Sequence, residues 1–243
     1  MLDGMYAAAA GMEAQQQQLD AIGNDLANVS TTGYKAERVG FRDLLYNQVA
    51  VSGTATSIGA GAAAQTVGFD QSAGSIQQTG NPLDVAIEGE GFLAVKRPNG
   101  AQALTRNGAL EIDAQGRLTT AEGDLLEPPV TLPKGTPPQE VSIASDGTVL
   151  AGTKTVGRLA LVTVPAPDRL LPDGASLLTP TAASGAPQQA SGATLRQGAL
   201  EGSNVDLGSE MVAMMSAQRN YQLQSTAIQN ENQMLQIANQ LRA

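Results

Sequence analysis

Apolar residues recur at steps of three and four at both ends of this chain. Near the start the series is Leu2, Met5, Ala9, Met12, Leu19 and Leu26, with Ala8, Ile22 and Val29 beside it. Near the finish it is Leu207, Met211, Met214, Tyr221, Ile228 and Leu235, flanked by Met215, Ile237 and Leu241. That spacing keeps one face of an α-helix apolar over many turns, and a repeat of about 3.5 residues is that of a coiled-coil seam. Helices built this way need a partner, and matching stripes make each other the simplest choice.

The first helix is expected from Met1 to about Val29, roughly 40 Å long at 1.5 Å per residue. Gly11 and Gly23 interrupt it, each at a cost of about 1 kcal/mol relative to alanine, so it should not be stable alone. Ser30, Thr31, Thr32 and Gly33 end it: the hydroxyls compete for backbone hydrogen bonds and the glycine tolerates positive φ. A shorter amphipathic piece follows, with Phe41, Leu44, Leu45 and Val49 on one side. The last helix runs nearly to Ala243, capped by Asp206 or Ser209.

Between the helices the pattern changes. Residues 52–80 are rich in Gly, Ala, Ser, Thr and Gln without periodicity, which predicts an extended arm that orders only against neighbours. From Leu83 onward come short apolar runs separated by turn residues, such as Pro98-Asn99-Gly100 and Asp113-Ala114-Gln115-Gly116. Close-spaced strands with that turn chemistry predict an antiparallel β domain. Pro128 to Pro138 is a proline-rich connector, and a further strand is expected at Leu195 to Leu200. The fold class is therefore α+β, in four parts: a helical N-terminal part (1–51), the arm (52–80), the β domain (81–200) and a C-terminal helix (201–243).

Composition removes whole classes of chemistry. The 243 residues include no cysteine and no histidine, so there is no disulfide framework, no zinc-thiolate site and no mechanism built on a histidine base. A net charge of −9 with scattered Lys and Arg argues against nucleic acid. The opening residues have neither a basic region nor a continuous apolar stretch, and no run is long enough to span a membrane. Neither a cofactor nor a metal is expected.

Glu88 and Glu90, set among glycines, are a conceivable carboxylate pair for glycan hydrolysis. A turn with two solvated acids is the simpler account. Gly89-Glu90-Gly91 lacks the third glycine and the helix of a dinucleotide site. Asn28-Val29-Ser30 matches a glycosylation acceptor, but its place at a helix end favours capping. Asn24, Asn28, Asn230, Asn232 and Asn239 are either register-setting polar positions near the seam or simply solvated. Met211, Met214 and Met215 read as adaptable packing.

The run Asn24-Asp25-Leu26-Ala27-Asn28-Val29-Ser30-Thr31-Thr32-Gly33-Tyr34-Lys35 resembles the N-terminal signature of bacterial flagellar basal-body rod and hook proteins. The similarity continues through Gly11-Met12-Glu13-Ala14, Phe41-Arg42-Asp43-Leu44-Leu45-Tyr46, Gln78-Thr79-Gly80-Asn81-Pro82-Leu83-Asp84-Val85-Ala86-Ile87, Thr105-Arg106-Asn107-Gly108, Leu200-Glu201-Gly202-Ser203-Asn204-Val205 and Ala217-Gln218-Arg219-Asn220-Tyr221. It covers essentially the whole chain and is strongest to the distal-rod members. Val156 to Val162 also resembles the proximal-rod members. Gly23 and Asp25 depart from the family pattern.

The resemblance implies a structural, non-enzymatic subunit. Its terminal helices would pair as a coiled-coil inner domain, with the seam residues and Asn28 and Val29 as assembly interface and Asn24, Leu26, Asn28, Ser30, Thr31, Gly33, Tyr34 and Lys35 as signature. It also implies self-association into a helical rod, contacts of the arm with neighbouring subunits, other rod and hook proteins as partners, and export by the flagellar type III apparatus without a cleaved signal. The expected location is the basal body, outside the cytoplasmic membrane.

Overall fold

The computed structural model describes residues 2–44, 46–51, 54–59, 61–190 and 192–241. Leu45, the first arm residues Ser52 and Gly53, and the last two residues of the chain, all part of the expectations above, lie outside that set. The fold is α+β, with helices α1 (Leu2–Ala27) and α2 (Leu207–Gln240) at the ends and an antiparallel β region between them. It divides into two compact units. One comprises Met1–Ala27, Glu37–Val67 and Asp206–Ala243; the other comprises Asn28–Ala36 and Gly68–Val205.

In the helical unit, α1 and α2 pack against each other. Gly4 lies against Glu231 and Gly11 against Gln224. Seven residues forward on α1 thus match seven back on α2, so the helices are antiparallel. Asp25 and Glu210, which feel each other electrostatically, continue this register two heptads further. The buried apolar positions of the pair are mostly small, Ala14, Ala21 and Ala217, with Ile22 beside them. Small side chains let the two backbones approach closely at the cost of apolar area.

The residues after Gly33 depart from the expected amphipathic piece. Glu37–Asp43 and Tyr46–Val51 are strands, and none of the described residues of 28–51 is helical. Val39, Phe41, Tyr46, Val49 and Val51 are types that suit an extended backbone. Nor is the 52–80 stretch without regular structure: it contains strands Thr54–Gly59, Ala62–Phe69 and Ile76–Gln78. Their partners are the hairpin mate Tyr46–Val51, Glu37–Asp43 and the remote Ala199–Glu201.

The β unit is organised around Phe92–Lys96. One side of this strand pairs with Gln102–Thr105, and the other is shared between Leu161–Thr163 and Leu125–Leu126, all antiparallel. Leu93 and Val95 enter the main core with Val85, Ile87, Leu118, Val130 and Val149, while Phe92 and Ala94 enter a second cluster with Leu104, Val164 and Leu170. Burial on both faces explains why this segment reads as an unbroken apolar run. The Asp146-Gly147 turn joins the antiparallel strands Val141–Ile143 and Thr148–Ala151. Gly147 has φ +89°, and a Cβ there would stand 2.4 Å from the Leu159 carbonyl oxygen.

The two glycines inside α1 differ in a way that sequence alone does not reveal. A Cβ on Gly11 would meet the Gln224 amide at 3.0 Å, whereas one on Gly23 would meet nothing within 4 Å. Gly23→Ala should therefore stabilise the helical unit by about 0.5–1 kcal/mol, and Gly11→Ala should give little or no gain because Gln224 has to move. Urea titrations followed by helical circular dichroism check this; equal gains from both would contradict the packing described.

Candidate functional site

The signature segment leads to a buried ionic knot within the β unit. Gly33 takes φ +68°, and a Cβ there would stand 2.7 Å from the backbone of Arg106 and Asn107, so the chain can pass only as glycine. Two residues on, the Lys35 ammonium reaches the Glu201 carboxylate at 2.7 Å and the Ser72 carbonyl at 2.6 Å. Arg106 Nε donates to the other Glu201 oxygen at 2.8 Å, and its Nη2 to the Gly89 carbonyl at 3.0 Å. Gly74 N–H adds a third donor to Glu201 at 2.9 Å. The Arg106 guanidinium also lies 5.8 Å from the centroid of Phe92. Glu201 is only 1% exposed, so its charge is sustainable only with this full complement of donors.

Burial pushes the Glu201 carboxyl up, but the Lys35 hydrogen bond, the Arg106 charge and the Gly74 N–H outweigh it and hold the pKa below its ordinary value. Burial, the largest influence on Lys35, brings that ammonium below its ordinary value despite the opposing pull of Glu201. One carboxylate serves two cations, so the acid holds its charge and the lysine bears the desolvation.

The helical unit supplies a different kind of surface. Asp206 caps α2, accepting from Ser209 N–H at 2.7 Å and from its hydroxyl at 2.6 Å. Asp25 is buried and accepts the Glu37 N–H with both oxygens, fixing where the strand begins. Glu210 has its pKa raised, first by burial and then by Asp25 and Asp206. Along α2, Leu207, Val212, Met215, Leu223, Met234 and Ile237 are exposed. At about 100° per residue, Val212, Met215, Leu223 and Ile237 lie roughly 100–180° around the helix from Gln224, which faces α1. The helix therefore carries a second apolar face that α1 does not cover. Isolated exposed leucines are ordinary, but a row of them along one helix is not.

The anticipated seam residues divide between these settings. Ile22 is buried; Met5, Met12, Leu19, Leu26, Met214, Ile228 and Leu235 are half-buried; Leu207, Met211 and Tyr221 are exposed. Of the signature, Asn28 closes the turn after α1 by accepting from Thr31 N–H and hydroxyl, both at 3.0 Å. Val29, Thr31 and Tyr34 are half-buried, Asn24 and Ser30 exposed, and Gly33 and Lys35 buried. Glu88 and Glu90 lie on an exposed turn, where Glu88 meets an exposed Arg196 at 3.5 Å. Neither lines the cavity of about 360 Å³ bounded by Asp146, Arg158 and Gln189. Among the described residues no group of acids is placed to hold a metal ion, and no helix is long and apolar enough to cross a membrane.

Three family descriptions match the chain in order. Residues 5–35 match the flagella basal body rod protein family, 86–151 the D1 domain of the flagellar hook protein FlgE/F/G family, and 196–241 the C-terminal region of flagellar basal body rod FlgEFG proteins. The flagellar basal-body rod protein FlgG of Borreliella burgdorferi is 37% identical over all of this chain and 99% of its own length. FlgG of Caulobacter vibrioides is 34% identical over the whole of both chains. The chain belongs to the flagellar basal-body rod protein family. The similarity extends to FlgF of Escherichia coli, at 32% identity over 96% of this chain, but FlgG relatives predominate, in keeping with the distal-rod resemblance of the motifs. Within this family the chain is a structural subunit.

The knot has a pH signature. Because its folded pKa is depressed, Glu201 contributes stability that is complete above its ordinary value of 4.5 and is lost as pH falls through the lower folded value. Glu201→Gln should cost about 3–5 kcal/mol at neutral pH, since two buried cations lose their anion. It should also lose less than the wild type between about pH 5 and about pH 3. Urea midpoints of both proteins across that range test this, and parallel acid limbs would contradict it.

Proposed function

We propose that this chain polymerises helically into the distal part of the flagellar rod, a hollow shaft that transmits torque. Terminal helices form its inner coiled-coil layer, the division into helical parts, 52–80 arm and 81–200 β domain following the family plan. The observation that carries this reading is the two-faced α2. One face packs against α1 with contacts one heptad apart, Gly4 to Glu231 and Gly11 to Gln224, which supports a coiled-coil pairing; the other is exposed and in this reading serves the helices of adjacent copies. Repeated heterologous contacts of that kind extend without closing, which builds a tube. In this reading Leu2, Met5, Met12, Leu19, Ile22, Leu26, Met214, Ile228 and Leu235 hold the pair together. Leu207, Met211 and Tyr221 meet neighbours, and Asn28 and Val29 set the exit from α1.

The subunit works outside the cytoplasmic membrane, in the periplasm or cell-wall space. It reaches that space through the flagellar type III export apparatus without a cleaved signal, and meets other rod and hook proteins at its ends. The 52–80 arm touches neighbouring subunits. Its work is mechanical, and the Glu88 and Glu90 pair has no part in it.

Leu223→Asp tests the outward face. Leu223 is 69% exposed, so the substitution should change the stability of the free subunit by no more than about 0.5 kcal/mol. It should nevertheless abolish swimming and leave basal bodies with truncated rods. Ile228→Asp should loosen the helix pair itself. Normal motility of Leu223→Asp cells would overturn the proposed packing.

A further inference from the structure

We infer that the Glu201 knot is a latch: residues 201–204 determine whether the signature segment 30–36 and the segment 70–76 are ordered at all. The inference stands on the geometry of the β unit and does not depend on the assembly reading. Both segments take most of their long-range hydrogen bonds from those four residues. The signature segment closes two tight local turns, Thr31 N–H to Asn28 and Tyr34 N–H to Thr31, and its Thr32 carbonyl accepts from the Ser176 hydroxyl at 3.1 Å. Its remaining anchors come chiefly from the far end of the sequence. Gly33 N–H donates to the Glu201 carbonyl at 2.9 Å, Ala36 N–H to Asn204 Oδ1 at 2.8 Å, and Lys35 to the Glu201 carboxylate across 166 residues of chain.

Segment 70–76 leans on the same four residues. Asn204 Nδ2 donates to the Asp70 carbonyl at 2.9 Å, Gly202 N–H to the Ser75 carbonyl at 2.8 Å, and Gly74 N–H to Glu201. Among the described residues, Ile76–Gln78 pairs as a strand with Ala199–Glu201 alone. The fit is close enough that a Cβ on Gly74 would stand 2.0 Å from the Gly202 carbonyl oxygen. The two segments also meet directly, through Lys35 to the Ser72 carbonyl and Asp70 N–H to the Ala36 carbonyl. The second of these continues the pairing of Glu37–Asp43 with Ala62–Phe69 by one step, so that ladder brings the two segments side by side while residues 201–204 supply most of the bonds that fix them.

Residues 201–204 are therefore the common ground. Once they arrive, the Glu201 carboxylate accepts from both segments, the Asn204 amide accepts from one and donates to the other, and Arg106 ties the acid to the sheet. Until they arrive, Lys35 is a solvated cation on an extended peptide. Order at the signature is thus conditional on a sequence-distant part of the same chain, which couples the two ends of the β unit into one cooperative step.

Hydrogen exchange on the full chain tests this with two variants. Lys35→Met keeps the Glu201 and Arg106 pair intact, so the sheet should hold. Amides of 30–36 and 70–76 should exchange about tenfold faster or more, while those of 92–105 and 148–158 stay within about twofold of wild type. Glu201→Gln should loosen the same two segments further, again ahead of the sheet. Uniform acceleration across the β unit would make the knot an ordinary core element, and unchanged exchange at 30–36 and 70–76 would mean that they order independently; either result overturns the latch.

Discussion

A helix with two apolar faces cannot satisfy both against one partner, and this is the condition in which α2 stands. Its 34 residues extend about 51 Å, longer than the 26 residues of α1 can match. The face toward α1 mixes small and polar side chains, Ala217, Gln224 and Glu231 among them, with the half-buried Ile228 and Leu235. The other face carries larger apolar residues and is exposed. Much of the apolar area of α2 is thus left uncovered by α1. A pair built in this way is weak alone, and under the proposed packing adjacent copies strengthen it. Gly11, Glu210 and the alanine-lined seam all weaken it in the same direction: close backbone approach without much apolar area, and an acid raised by burial beside two others.

The β unit follows the opposite logic, with its ionic knot fully internal. Removing one member of such a cluster leaves unpaired buried charge, so the arrangement is specified tightly even where its net contribution to stability is small. Lys35 is the last residue of the signature run, and the structure gives that position a physical reason. The ammonium must reach a carboxylate placed 166 residues later, and Gly33 is the only residue type that lets the backbone pass Arg106 on the way.

Much of the fold was legible in the sequence because its signals are local. The three-and-four spacing located both helices, and the Asp113-Ala114-Gln115-Gly116 and Pro98-Asn99-Gly100 turns located hairpins. What was not legible depends on partners remote in sequence. Glu37–Asp43 and Ile76–Gln78 are strands because of Ala62–Phe69 and Ala199–Glu201, and a composition of Gly, Ala, Ser and Gln carries no trace of that pairing. Glu201 and Arg106 could be quoted as parts of motifs, yet their joint role required seeing Lys35 between them. A lone acid amid apolar strand residues at Ala199-Leu200-Glu201 was the available signal. The stripe on α2 identified a helix that needs covering, but not that its most apolar residues face away from α1.

The central claim is that the outward face of α2 is exposed in the free subunit and covered in the rod. The chain contains no cysteine, so Met215→Cys places a single thiol on that face, where Met215 is exposed. Its rate of reaction with a water-soluble maleimide should be compared in purified subunits and in basal bodies isolated from motile cells carrying the substitution. Rapid labelling of the free subunit with strong protection in the basal body is the expected result. Equal labelling in both would contradict the account.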